Sequence, residues 1–136
     1  MTEKQGNGLN VLIVEDDKSI RKILQDLLIM EKHNVVLAES GETALKLLQS
    51  KRFDVMITDL GLPGITGWDL SRAARRHQPD IYIITISSWR GQETEKKTAE
   101  CGVDIAIWKP FRFDQIIEAI NNVRLSSPAK SRANKS

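Results

Sequence analysis

Only one cysteine stands among the 136 residues, so no disulfide can close within the chain, which suits a reducing compartment. Histidine is nearly as scarce. His33 and His77 are the pair, neither has partners spaced for metal binding, and both are expected at surface turns. No apolar run approaches the length of a bilayer span, and residues 1–8 lack the apolar segment of a signal peptide. Neither sign of charge dominates: a formal net charge of +2 gives no argument for a nucleic-acid or membrane partner. There is no internal repeat and no second folding unit. These absences lead to the expectation of a soluble, cytoplasmic protein, and the 40% apolar content suits one globular domain with a proper core.

What is present is an alternation. Residues 11–14 (VLIV), 35–38 (VVLA), 55–58 (VMIT), 81–86 (IYIITI) and 103–108 (VDIAIW) are short and rich in apolar residues. Most are β-branched and apolar on both sides, as buried strands of a parallel sheet are. Between them, Ile20, Ile23, Leu24, Leu27 and Leu28 recur at helical spacing over 18–31, and Ser40 stands as an N-cap before Ala44, Leu45, Leu47 and Leu48. A third helix is expected over 68–77, with Arg72, Arg75 and Arg76 on a solvated face. The last helix carries Phe113, Ile116, Ile117, Ile120 and Val123. The segment 90–101 reads as helix yet has almost no large apolar residue, so it is expected to be weakly held. Cys101, at its end, reads as a small buried filler.

Five strand–helix alternations imply a doubly wound α/β sandwich, a (βα)5 flavodoxin-like fold with right-handed crossovers. Ligands in such sheets bind beyond the carboxyl ends of the strands. Polar residues stand at four of these ends: Glu15 and Asp16, Asp59, Ser87, and Lys109. Acids, hydroxyl and amine therefore converge on one place, a set suited to phosphorylation of an aspartate. Asp59 is the candidate nucleophile. Glu15, Asp16 and Asp59, with a backbone carbonyl, form a hard oxygen cluster suited to Mg²⁺. Lys109 would hold a phosphoryl oxygen as a point charge, and Ser87 would hydrogen-bond the attached group. Asp17 fits better as the cap of the first helix. Ser88 is the alternative to Ser87, and the spacing to Lys109 favours Ser87.

In this order, VLIVEDD, TDLGLPG, a hydroxyl after the fourth strand and KPF resemble the receiver domains of two-component response regulators. The resemblance covers about 10–124. It implies a parallel five-stranded sheet of order 2-1-3-4-5, Mg²⁺ as cofactor and Gly61 as the source of the metal-binding carbonyl. It also implies a cis bond before Pro110. The expected partners are a sensor histidine kinase or histidine phosphotransfer protein upstream and an unnamed output domain or protein downstream. The 90–101 helix, fifth strand and last helix would form the downstream face, and a phosphorylation-dependent homodimer is compatible with it. No membrane contact and no direct nucleic-acid binding by this domain are expected. Residues 1–8 read as a flexible lead-in, 9–125 as the receiver domain and 126–136 as a disordered tail or linker.

Two features stand out against the family's pattern. Ala106 stands where receivers usually place an aromatic switch residue. Trp108, on the same side of the strand, or Trp89 is a candidate substitute, against the plainer reading that both tryptophans pack on neighbouring helices. Gly61 and Trp89 occupy positions that tune water attack on the acyl phosphate, and here they imply slow autodephosphorylation. The chain is expected to be a phosphoacceptor and not an enzyme, its only reactions being self-catalysed phosphorylation and dephosphorylation. A degenerate receiver acting by binding alone is the main alternative. An aspartate-nucleophile phosphohydrolase is disfavoured because Gly61 replaces the general acid two residues after the nucleophile. A nucleotide- or flavin-binding module is disfavoured because Glu15, Asp16 and Asp17 would repel phosphate after the first strand.

Overall fold

The computed structural model describes residues 8–125. The lead-in over 1–7 and the tail over 126–136 lie outside the described residues, while Gly8 is buried. Ten elements alternate: β1 (Asn10–Val14), α1 (Lys18–Met30), β2 (Asn34–Ala38), α2 (Gly41–Ser50), β3 (Val55–Asp59), α3 (Gly67–His77), β4 (Tyr82–Ser87), α4 (Gln92–Glu100), β5 (Ile105–Trp108) and α5 (Phe113–Leu125). All four strand pairings are parallel, as the alternation implies, and the order is β2-β1-β3-β4-β5, as the resemblance implies.

Strand residues alternate between two cores because successive side chains point to opposite faces. Val11, Ile13, Val55, Ile57, Ile84 and Ile86 meet Leu24 and Leu28 of α1 and Ile116 and Ile120 of α5. Leu12, Val14, Met56 and Ile83 meet Ala44 and Leu48 of α2 and Leu70 and Ala74 of α3. Each fully buried leucine contributes about 1.5–3 kcal/mol over its exposed state. Local signals start the helices as expected: Asp17 accepts from the Ile20 amide at 3.0 Å, and Ser40 accepts from the Thr43 amide at 3.1 Å. Helix α4 has no such cap and buries only Thr98. The weakness read from its sequence is visible in its packing.

Three expectations need correction. His33 is buried and not at the surface, because its Nδ1 accepts the Leu9 amide at 3.0 Å and so closes the turn before β2. His77 is exposed, as expected. Arg75 does not belong to a solvated face: its guanidinium donates to the carbonyls of Pro79, Ile81 and Gly102 and pairs with Asp104 at 3.0 Å. Asp104 also accepts the Ile83 amide at 2.8 Å, so this stretch serves as a clasp and β5 begins later, at Ile105.

Candidate functional site

The carboxyl ends of β1, β3, β4 and β5 bring the candidate residues to one edge. Glu15, directly after β1, is 2% exposed, and its Oε2 accepts the Asp17 amide at 3.0 Å. Asp16 lies beside it, exposed to solvent. Asp59 closes β3. Its Oδ1 accepts the Gly61 amide at 2.8 Å and its Oδ2 accepts from Lys109 Nζ at 2.7 Å. Lys109 also lies 3.5 Å from Glu15 Oε1. One ammonium thus spans two carboxylates supplied by residues far apart in sequence.

The surrounding backbone fixes these side chains. Thr58 Oγ1 donates to the Asp59 carbonyl at 2.9 Å, and the Lys109 amide donates to the Ser87 carbonyl at 2.9 Å. The Lys109–Pro110 bond is cis, as the resemblance implies. Gly67 opens α3 where a Cβ would collide with the Asp59 carbonyl and the Leu60 backbone. Only glycine lets the helix start this close to the strand end. Ser87 ends β4 and is buried, and its Oγ accepts the Trp89 amide at 2.8 Å.

The charges are unbalanced toward the acidic side. One carboxylate oxygen from each of Glu15, Asp16 and Asp59 lies within 4.8 Å of the others, facing a single lysine. Burial pushes the Glu15 carboxyl up to about 7, with the charges of Asp59 and Asp16 adding to the shift. For Lys109, burial opposes the charged form. The hydrogen bond to Asp59 and the charges of Glu15 and Asp59 outweigh it, so its pKa is raised. The shorter contact goes to Asp59, so the ammonium stays charged while the buried Glu15 carries the desolvation cost. A pocket of hard oxygen donors with excess negative charge fits a divalent cation such as Mg²⁺. The donor set passes that test.

Sequence reasoning missed three contributors. Arg21, one turn into α1, donates to the Glu15 carbonyl at 2.7 Å. Glu42, in the first turn of α2, accepts the Ile65 amide at 3.3 Å and so ties down the loop after Asp59. Trp68, in the first turn of α3, places its ring 5.1 Å from that of Trp89. Each follows a capping residue at the start of a helix (Asp17, Ser40 or Thr66), but the contact each makes lies outside its own helix and had no local signal.

The two features that stand out also have a geometry. Ala106 and Trp108 share the outer side of β5, and Trp108 is 39% exposed with the Arg90 guanidinium 5.2 Å from its ring centre. Trp89 leans over Gly61, where an added Cβ would meet its ring at 3.2 Å. A hollow of about 400 Å³ opens beside Lys109, lined by Ile20, Ser88, Lys109, Pro110 and Phe111.

Known proteins resemble this chain over most of its length. The model of the response regulator receiver domain matches residues 11–121. The chemotaxis protein CheY of Pseudomonas aeruginosa is 36% identical over 121 residues, covering 85% of this chain and 95% of that protein. The sensor histidine kinase AruS of the same organism is 32% identical over 127 residues, which cover 90% of this chain and only 13% of that protein. Among solved structures, the chemotaxis response regulator CheY4 of Vibrio cholerae superimposes with a TM-score of 0.80 at 27% identity, covering 86% of this chain and 99% of that one.

Proposed function

This chain belongs to the family of response regulator receiver domains, and we propose that Asp59 is its phosphoacceptor. The observation that carries the reading is the Asp59 carboxylate held at 2.7 Å by Lys109, with oxygens of Glu15 and Asp16 within 4.8 Å. A carboxylate oxygen of Asp59 attacks the phosphorus of a phosphohistidine. The new P–O bond makes an acyl phosphate, and the electron pair of the broken P–N bond leaves on the imidazole. The Gly61 amide fixes the orientation of the nucleophile through Oδ1. Lys109 moves from pairing the free carboxylate to holding a phosphoryl oxygen. Ser87, which uses its oxygen to accept the Trp89 amide, keeps its own proton to donate to the attached group.

Glu15, Asp16 and Asp59, with the Gly61 carbonyl, are the residues that would hold Mg²⁺. The ion would supply positive charge against the phosphoryl oxygens. The upstream partner is a histidine kinase or a histidine phosphotransfer protein. The downstream face is α4, β5 and α5, whose affinity for a partner protein changes with phosphorylation. The domain acts as a switch and not as an enzyme: Gly61 leaves no acid two residues after Asp59 to protonate a leaving group. With Trp89 over Gly61, attack of water is slow.

Intact mass after treatment with acetyl phosphate tests the reading. The expected outcome is one added phosphate that requires Mg²⁺ and is absent from Asp59→Asn. No gain in mass under any condition would replace this function with signalling by binding alone.

A further inference from the structure

Helix α4 carries the expected readout but makes little contact with the aliphatic core, so its attachments can be traced singly. Among the described residues, Thr98 is its one buried side chain. Thr98 Oγ1 accepts from Trp68 Nε1 at 3.0 Å and donates to the Thr94 carbonyl at 2.6 Å. The ammonium of Lys97 lies 4.2 Å from the centre of the Trp68 ring. Two successive residues of α4 are therefore held by one tryptophan of α3.

Trp68 in turn touches the phosphoryl site through Trp89. The two rings lie 5.1 Å apart with their planes tilted by 39°, within the contact range of an aromatic pair. The Trp89 amide donates to Ser87 Oγ at 2.8 Å. Gly67, directly before Trp68, sits against the backbone of Asp59 and Leu60. One end of this chain of contacts is anchored at the nucleophile and the other reaches a weakly held helix. On the other side of β4, Ala106 offers no ring, and Trp108 meets the Arg90 guanidinium at the surface.

We infer that Trp89 and Trp68 form the internal link between phosphorylation and α4, a role of positioning residues that takes the place of an aromatic at position 106. This link rests on the phosphoacceptor reading above. Drawing Ser87 toward a phosphoryl group on Asp59 carries the Trp89 amide with it. The Trp89 ring then shifts against Trp68, and Trp68 passes the shift to Thr98 and Lys97. The coupling needs both the ring-to-ring contact and the indole N–H.

The experiment uses the full chain with acetyl phosphate and Mg²⁺, reading phosphate incorporation by intact mass and amide hydrogen exchange over residues 92–100. Phosphorylation of the unaltered chain is expected to change exchange in this segment by about threefold or more. Trp68→Ala is expected to take up the same single phosphate yet lose that change. Trp68→Phe, which keeps a ring but not the N–H, and Thr98→Val, which keeps the volume but not the acceptor, are each expected to show a reduced change. Trp108→Phe is expected to respond as the unaltered chain does, including a change in the near-ultraviolet dichroism of the remaining tryptophan pair. Should Trp68→Ala fail to fold, Thr98→Val decides. A full exchange response in fully phosphorylated Trp68→Ala or Thr98→Val would overturn the link, as would phosphorylation of the unaltered chain with no change over 92–100. Failure of the unaltered chain to take up phosphate would bring down the phosphoacceptor reading, and the link with it.

Discussion

Helices α1 and α4 each follow a strand that delivers site residues, yet they are held by opposite means. Helix α1 starts on the Asp17 cap and buries Leu24, Leu27 and Leu28. Helix α4 starts at Gly91, whose φ of 112° suits glycine and whose lack of a side chain leaves no cap hydrogen bond. It then buries one threonine. The difference separates two tasks. Carboxylates that must meet one lysine at 2.7 and 3.5 Å gain from strands and helices locked in a core. A surface that must change its binding gains from an element whose alternative positions lie close in free energy.

The largest test of this contrast is truncation. Leu28→Ala leaves a cavity between α1 and the sheet and is expected to cost about 2–5 kcal/mol in urea denaturation. Thr98→Ala is expected to cost less, about 1–2 kcal/mol, because it removes a methyl and two hydrogen bonds, one of them within the helix itself, from a helix with few other anchors. Equal costs would erase the distinction between the two helices.

A smaller effect sharpens what the firm side tolerates. The Glu15 carboxyl is raised to about 7 in the fold, above its ordinary 4.5, mainly by burial. The folded state therefore favours the protonated form. That contribution to stability is fully present below pH 4.5 and is lost as pH rises through 7. In chelator, at pH 8, Glu15→Gln is expected to be more stable than the unaltered chain by about 1–3 kcal/mol. The gain should vanish at pH 4 in thermal melts. A variant less stable at pH 8 would show that the Glu15 charge is a net asset to the metal-free fold.

Sequence pattern revealed the firm side of the molecule more fully than the loose side. The five strands, the Asp17 and Ser40 caps and the polar residues at four strand ends are local signals: short apolar runs, a capping residue, a change of polarity. The weakness of α4 was legible for the same reason, as an absence of apolar residues. What joins α4 to the site was not. Trp68 meets Thr98 across 30 positions, and no periodicity encodes that distance. Arg75 likewise looked solvated because its acceptors lie beyond its own helix, one of them 27 positions away. His33 looked like a turn residue because the Leu9 amide that buries it lies 24 positions upstream. At the site, the sequence supplied the reacting groups, and tertiary contact supplied Arg21, Glu42 and the tryptophan pair.

Segment-resolved amide hydrogen exchange of the unphosphorylated, metal-free protein tests the central contrast most directly. Residues 18–30 and 55–59 are expected to exchange only through global unfolding, while 92–100 exchange through local openings of much lower free energy. Protection over 92–100 equal to that over 18–30 would contradict the account, for α4 would then be as firmly built as the site it is meant to report.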